Sequence, residues 1–192
     1  MKTLAYALVT LLWLSMTSSS AHAQYRNQLF SLGGGTHRII GDNPNLQIGS
    51  AFMLGGEYLW RMLDNHWWFG LKVNIGFRKH LDPFADNVFG TFLESKPGIF
   101  LRYVILTDDI RPYVQLGSSF SSLWFFKDAG EQAMANYLPH SNWGSLSLGL
   151  GLEYVYARNM SFSLSAEGEW MFIWSSPDSR GIHLTALLNF YL

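Results

Sequence analysis

The chain has 192 residues, with 13 Lys and Arg against 14 Asp and Glu, and no cysteine. That balance argues against nucleic-acid partners, and the lack of cysteine excludes a disulfide framework and any cysteine-ligated metal site. Charged residues make up only 14% of the chain, beside 16% aromatics and 18 glycines; soluble domains carry about 25% charged residues, so the outer surface is expected to face something other than water.

Taken in order, the chain opens on Met1-Lys2, an apolar run from Leu4 to Leu14, a Thr17–Ser20 cluster and Ala21-His22-Ala23. A charged start, an apolar core too short to span and an A-x-A site predict a cleaved secretory signal peptide over 1–23. The mature domain is then 24–192. It holds no run of about eighteen apolar residues, which argues against transmembrane helices.

From there the pattern is apolar and polar residues in alternation, the mark of strands with two unlike faces. Strand one is predicted over about 28–38, strand two over 47–60 and strand three over 67–78. In strand three, Trp67, Phe69, Leu71, Val73, Ile75 and Phe77 alternate with Trp68, Gly70, Lys72, Asn74, Gly76 and Arg78. Strand four follows over 92–106, strand five over 111–124, strand six over 143–156 and strand seven to about Trp174. The last strand, Gly181 to Leu192, sets Ile182, Leu184, Ala186, Leu188, Phe190 and Leu192 on one face. Its other face is small or polar, with Leu187 as the exception. An apolar period of two excludes an amphipathic helix.

Eight strands result, joined alternately by long and short connections. The short turns fall near 61–66, 107–110 and 157–160, and the long loops near 39–46, 79–91, 127–142 and 175–180. The expected fold class is all-β, an eight-stranded antiparallel up-and-down transmembrane β-barrel with short periplasmic turns and longer external loops. The alternative is a soluble calyx whose apolar face lines a cavity. The second face decides against it: Gly, Ser, Ala and Asn suit a narrow interior filled by side chains better than a surface in water. The aromatics agree. Tyr58, Trp60, Trp67, Tyr103, Tyr154 and Tyr156 lie near the short turns; Phe77, Phe120, Trp124, Trp170 and Trp174 lie near the long loops. Two interfacial girdles are expected of a bilayer-spanning barrel.

The signal peptide, the strand count, Tyr113-Val114-Gln115-Leu116-Gly117 after a turn, Gly149-Leu150-Gly151-Leu152-Glu153-Tyr154 and the amphipathic final strand make the mature chain similar to the OmpA/OmpX-type small outer-membrane barrels. The resemblance implies a location in the outer membrane of a Gram-negative bacterium, contact with its lipid and lipopolysaccharide, and a monomer. It also implies recognition of the last strand by the barrel-assembly machinery. That family usually ends in Phe; here Leu192 is last and Phe190 stands two before it.

By strand phase, one inner face carries Glu57, Glu153, Glu167 and Glu169 with Lys72, Arg78, Lys96 and Arg102, four acids against four bases. Charges in so narrow a space need partners, so a paired network that plugs the lumen is expected. No phosphate loop, metal-ligand helix or nucleophile elbow is present, and no cofactor or metal is expected. Some small barrels modify lipid A with His, Ser and an acid at the outer rim. His37, His80 and the His140-Ser141 pair are candidates for such a site, with Asp82 and Asp178 nearby in the loops. The expected function is non-enzymatic, a structural or surface-contact barrel. Alternatives are a small pore or carrier for apolar solutes, and a lipid A acyltransferase or deacylase.

Overall fold

The computed structural model of the protein describes residues 26–40, 51–62, 66–81, 88–125, 142–172 and 180–192. The signal segment lies outside the described residues. Eight strands follow in order: β1 (Gln28–Ile40), β2 (Ala51–Arg61), β3 (Trp67–Leu81), β4 (Val88–Val104), β5 (Ile110–Phe125), β6 (Asn142–Ala157), β7 (Met160–Phe172) and β8 (Arg180–Tyr191). Each pairs antiparallel with the next, and β8 pairs with β1 to close the barrel. Closure leaves no unpaired edge, as lipid demands.

The register fixes the shape. From Leu29, paired residues run through Leu59, Gly70, Phe100, Gly117, Ser147, Glu169 and Gly181, and the circuit returns to β1 at Ile39. The stagger is therefore ten residues around eight strands. With a rise of about 3.3 Å per residue and strands about 4.8 Å apart, that stagger tilts the strands by about 40°, within the usual range for such barrels.

Several expected boundaries shift. The loop expected at 79–91 is narrower, because β3 continues to Leu81 and β4 begins at Val88. The ladder there carries an irregularity between His80 and Leu81. Pairing outlasts the apolar alternation that marks the buried part of a strand, so the pattern ended before the strand did. Pro97 lies inside β4, where ladder partners to β5 are missing between Ser95 and Gly98. A proline offers no N–H to that side.

The two faces separate cleanly. Leu54, Leu71, Ile75, Ile99, Leu116, Leu148, Leu150, Leu164 and Leu184 all point outward and are exposed, Leu150 at 65%. So large a continuous apolar surface is stable only against lipid. At the short-turn end Tyr58 meets Trp60 edge-on and Trp60 stacks on Phe69, with Trp67 against Tyr103 nearby at 4.8 Å. Phe77, Phe120, Trp124 and Trp170 are exposed toward the other end; Trp174 lies outside the described residues.

The interior alternates large and small. The Phe100 ring lies over Gly70, where a Cβ would come within 2.3 Å of it, and the Tyr113 ring lies over Gly151 at 2.1 Å. Gly33 and Gly35 are different. A Cβ on either would meet the backbone carbonyl oxygen of β8 at 2.0 Å, so the closing seam needs glycine. The inner face is not wholly small or polar, as expected from its composition. Leu29, Leu59, Trp68, Phe100, Val104, Tyr113 and Tyr191 form a buried cluster inside the barrel, and Leu187 is buried with that face.

Candidate functional site: a charged network across the lumen

Strand parity carries the ionisable side chains inward. Once inside, their ion pairs do not form between ladder neighbours. Glu57 and Lys72 are direct cross-strand partners, yet each reaches elsewhere. Lys72 Nζ donates to Glu167 Oε2 at 2.7 Å. The bond runs from β3 to β7, four strands away in a ring of eight, hence between opposite walls. Glu57 Oε2 accepts from Arg102 Nη2 at 2.7 Å. Lys96 pairs with Glu169, again across the interior.

Neutral groups knit these chords together. Gln115, the ladder partner of Arg102, accepts from Arg102 Nε at 3.0 Å and donates to Glu167 Oε1 at 3.0 Å. The Arg102 guanidinium also lies over the Tyr113 ring, 4.2 Å from its centroid. Nearer the short turns, Glu153 accepts from Ser161 and, at 2.6 Å, from the Tyr191 hydroxyl. Arg111 Nη1 donates to that hydroxyl at 2.6 Å. Toward the other end, His37 Nε2 lies 3.3 Å from Glu169 Oε2 and His37 Nδ1 lies 3.8 Å from Glu94 Oε1. Its ring meets His183 edge-on at 5.7 Å.

Seven of the eight residues expected in the lumen network lie there: Glu57, Lys72, Lys96, Arg102, Glu153, Glu167 and Glu169 are all buried. Arg78 lies in β3, with its side chain outside the described residues. Glu94, His37, His183, Gln115 and Asn189 are additional buried members. Alternation could have found them, since Glu94 stands two before Lys96 and His183 sits between Ile182 and Leu184.

Among the rim candidates, His37 is the one whose side chain is described. His37 is not at the outer rim. It is wholly buried in the lumen, because β1 runs on to Ile40 and His37 keeps the inward parity of Leu29 and Ser31. His80 lies in β3 opposite Gly90, with its side chain outside the described residues. His140 and Ser141 lie outside the described residues altogether.

No protein-family model matches the sequence, and no curated protein matches it. Solved structures do. Neisserial surface protein A superposes with a TM-score of 0.63 at 12% identity, over 88% of this chain and 98% of that one. OprG of Pseudomonas aeruginosa gives 0.59 at 14% identity, over 86% and 97%. Ail of Yersinia pestis, solved with the heparin analogue sucrose octasulfate, gives 0.52 at 18% identity, over 85% and 98%. The chain has the fold of the small outer-membrane barrels. With an apolar belt outside and a polar, packed interior, it is a barrel of the Gram-negative outer membrane. At such identities the likeness extends to the fold and to no residue role.

Proposed function

We propose that the protein is a non-enzymatic outer-membrane barrel with a side-chain-plugged lumen, serving the envelope structurally or by surface contact through its external loops. The supporting observation is the Lys72–Glu167 chord between opposite walls. Around it, Arg102, Gln115 and Glu57 fill the same cross-section through consecutive bonds. Ions crossing there would have to break buried pairs, each of which is costly to leave half-made. The outer belt engages lipid and lipopolysaccharide acyl chains, and the barrel acts as a monomer inserted by the assembly machinery through β8. A targeting peptide over 1–23 takes the chain to the periplasm for that step.

The reading is tested in planar bilayers and in cells. The unmutated protein is expected to show no steady conductance, and its expression should leave lipid A acylation unchanged by mass spectrometry. A stable ion-conducting state would replace this proposal with a pore. A lipid A change abolished by His140→Ala or Ser141→Ala would replace it with an enzyme.

A further inference from the structure

Two arginines stand on the outward face of the closing seam, near the long-loop end. Arg180 of β8 has Trp170 of β7 and Ile40 of β1 as its ladder partners, and Arg38 of β1 pairs with Ile182 of β8. Arg38 and Arg180 are therefore diagonal neighbours on adjacent strands, about 7–8 Å apart along the backbone. Both share the outward parity of Thr36 and Leu184, and both are exposed. Trp170, beside Arg180, is exposed as well. A cation on the lipid face costs far more at mid-membrane than near an interface. The pair thus sets the level of the headgroups on this wall, and the long-loop end of such a barrel faces outside.

Below these arginines the wall is recessed into a groove of about 630 Å³. Its lining includes Gly34, Ala166 and Ala186 beside Leu150, Leu164 and Leu184. The first three carry at most a methyl group where their ladder neighbours carry leucine, which is why the surface dips there. The Ala166–Leu184 and Leu164–Ala186 ladder pairs stand four and six residues below the Trp170–Arg180 pair. That is about 13–20 Å along tilted strands, so the groove lies in the outer half of a hydrocarbon core about 30 Å thick. A volume of about 300–1,000 Å³ is usual for a ligand site.

We propose that this face holds one phosphate-bearing lipid of the outer leaflet, its phosphate on Arg38 and Arg180 and one acyl chain in the groove. The inference rests on the proposed engagement of the belt with lipid and lipopolysaccharide, and gives that engagement a place. Guanidinium forks match a phosphate in charge and geometry. Each guanidinium has five N–H donors, so a phosphate can be held even where a carboxylate of the neighbouring loops takes some of them. Charge also separates a lipid from a second copy of the chain. A twofold contact through this face would set Arg38 and Arg180 against the same residues of the partner, because the same patch meets itself.

The test uses the full mature barrel refolded in neutral detergent micelles, with dimyristoyl phosphatidate as probe and dimyristoyl phosphatidylcholine as control. Native mass spectrometry counts the lipid retained per barrel. One phosphatidate should be retained, and phosphatidylcholine should bind at least about tenfold more weakly. The double variant Arg38→Gln, Arg180→Gln should weaken phosphatidate by at least about tenfold and leave phosphatidylcholine unchanged. Filling the groove with Ala166→Leu and Ala186→Leu should weaken phosphatidate by at least about fourfold, the equivalent of one buried methylene. Both variants should keep the heat-dependent gel mobility of a folded barrel. Equal retention of the two lipids would overturn the proposal, as would unchanged retention in either folded variant. So would release of the lipid by inorganic phosphate at equal concentration, or barrel dimers in place of a lipid adduct. Should the variants fail to fold, the comparison of the two lipids on the unmutated barrel still decides. Conductance, which tests the plug, is untouched by any of these outcomes.

Discussion

Replacing Lys72 by Met removes one end of the chord that spans the lumen and leaves Glu167 behind. The lost bond is 2.7 Å long, between side chains exposed by only 1% and 3%. At that distance, with an effective dielectric of about 20, the attraction is about 6 kcal/mol. Desolvation of the two ions offsets most of it when both are present. With one removed, the other keeps its desolvation cost and loses its compensation, and the expected loss is about 3–5 kcal/mol. The Gln115 Nε2 bond to Glu167 remains, which places Lys72→Met toward the lower end. Glu167→Gln should be milder, about 1.5–3 kcal/mol, the worth of a hydrogen bond to a charged group. Its amide oxygen can still accept from Nζ, and Lys72 retains the Phe100 ring at 5.8 Å and Glu57 opposite on the ladder. The double variant should be more stable than the sum of the two losses predicts, because no lone ion is left. Equilibrium unfolding in lipid vesicles, followed by the fluorescence of the tryptophans of the mature barrel, measures all four corners of the cycle. Effects of the two single changes that add to within about 0.5 kcal/mol would refute the chord as an energetic unit.

Other outcomes are expected from the same structure. Leu150→Arg, on the lipid face, should destabilise by about 2–4 kcal/mol, and Ile110→Arg at the short-turn end by about 0–1 kcal/mol; equal values by the same unfolding assay would contradict the depth assignment. Gly70→Ala should cost about 1–3 kcal/mol through the Phe100 ring, as overpacking does, and be relieved by adding Phe100→Leu. Gly33→Ala should admit no such relief, because its obstacle is backbone; the expected readout is loss of heat-dependent gel mobility. The chain should fractionate with outer membranes with Gln24 at its mature N-terminus by mass spectrometry, and a soluble periplasmic product would contradict a lipid-facing belt.

Much of the architecture was legible because alternation reports a single physical variable, the medium on each side of a strand. In β3 it read Phe69, Leu71, Val73 and Ile75 as outward and Lys72 as inward, and the exposures agree residue by residue. It was weaker where the two media are alike. The reach of β3 and β4 over residues 79–81 and 88–91 rests on ladder pairing and left no periodic trace in the sequence. It also misjudged the texture of the lumen. Phe100 and Tyr113 are inward although large, because Gly70 lies beneath the one ring and Gly151 beneath the other. Small residues on the inner face do not mean a sparse interior; they mean that another side chain lies across them.

Parity assigns a face but not a height, and partner choice depends on height. Glu57 and Lys72 are nearest neighbours along the ladder and opposite in charge, so a reading confined to adjacent strands pairs them. The structure pairs Glu57 with Arg102 and Lys72 with Glu167. What brings residues 72 and 167 to one level is the ten-residue stagger accumulated around the whole ring, which no local stretch of sequence records. The same stagger gathers His37 of β1, Glu94 of β4 and Glu169 of β7 into one cluster, although His37 taken alone looked like a residue at a strand's outer end. An inward charge in such a barrel is therefore readable from a dozen residues, whereas its partner requires the register of all eight strands. That is why seven of the network's members could be named from the sequence whereas its ion pairs could not.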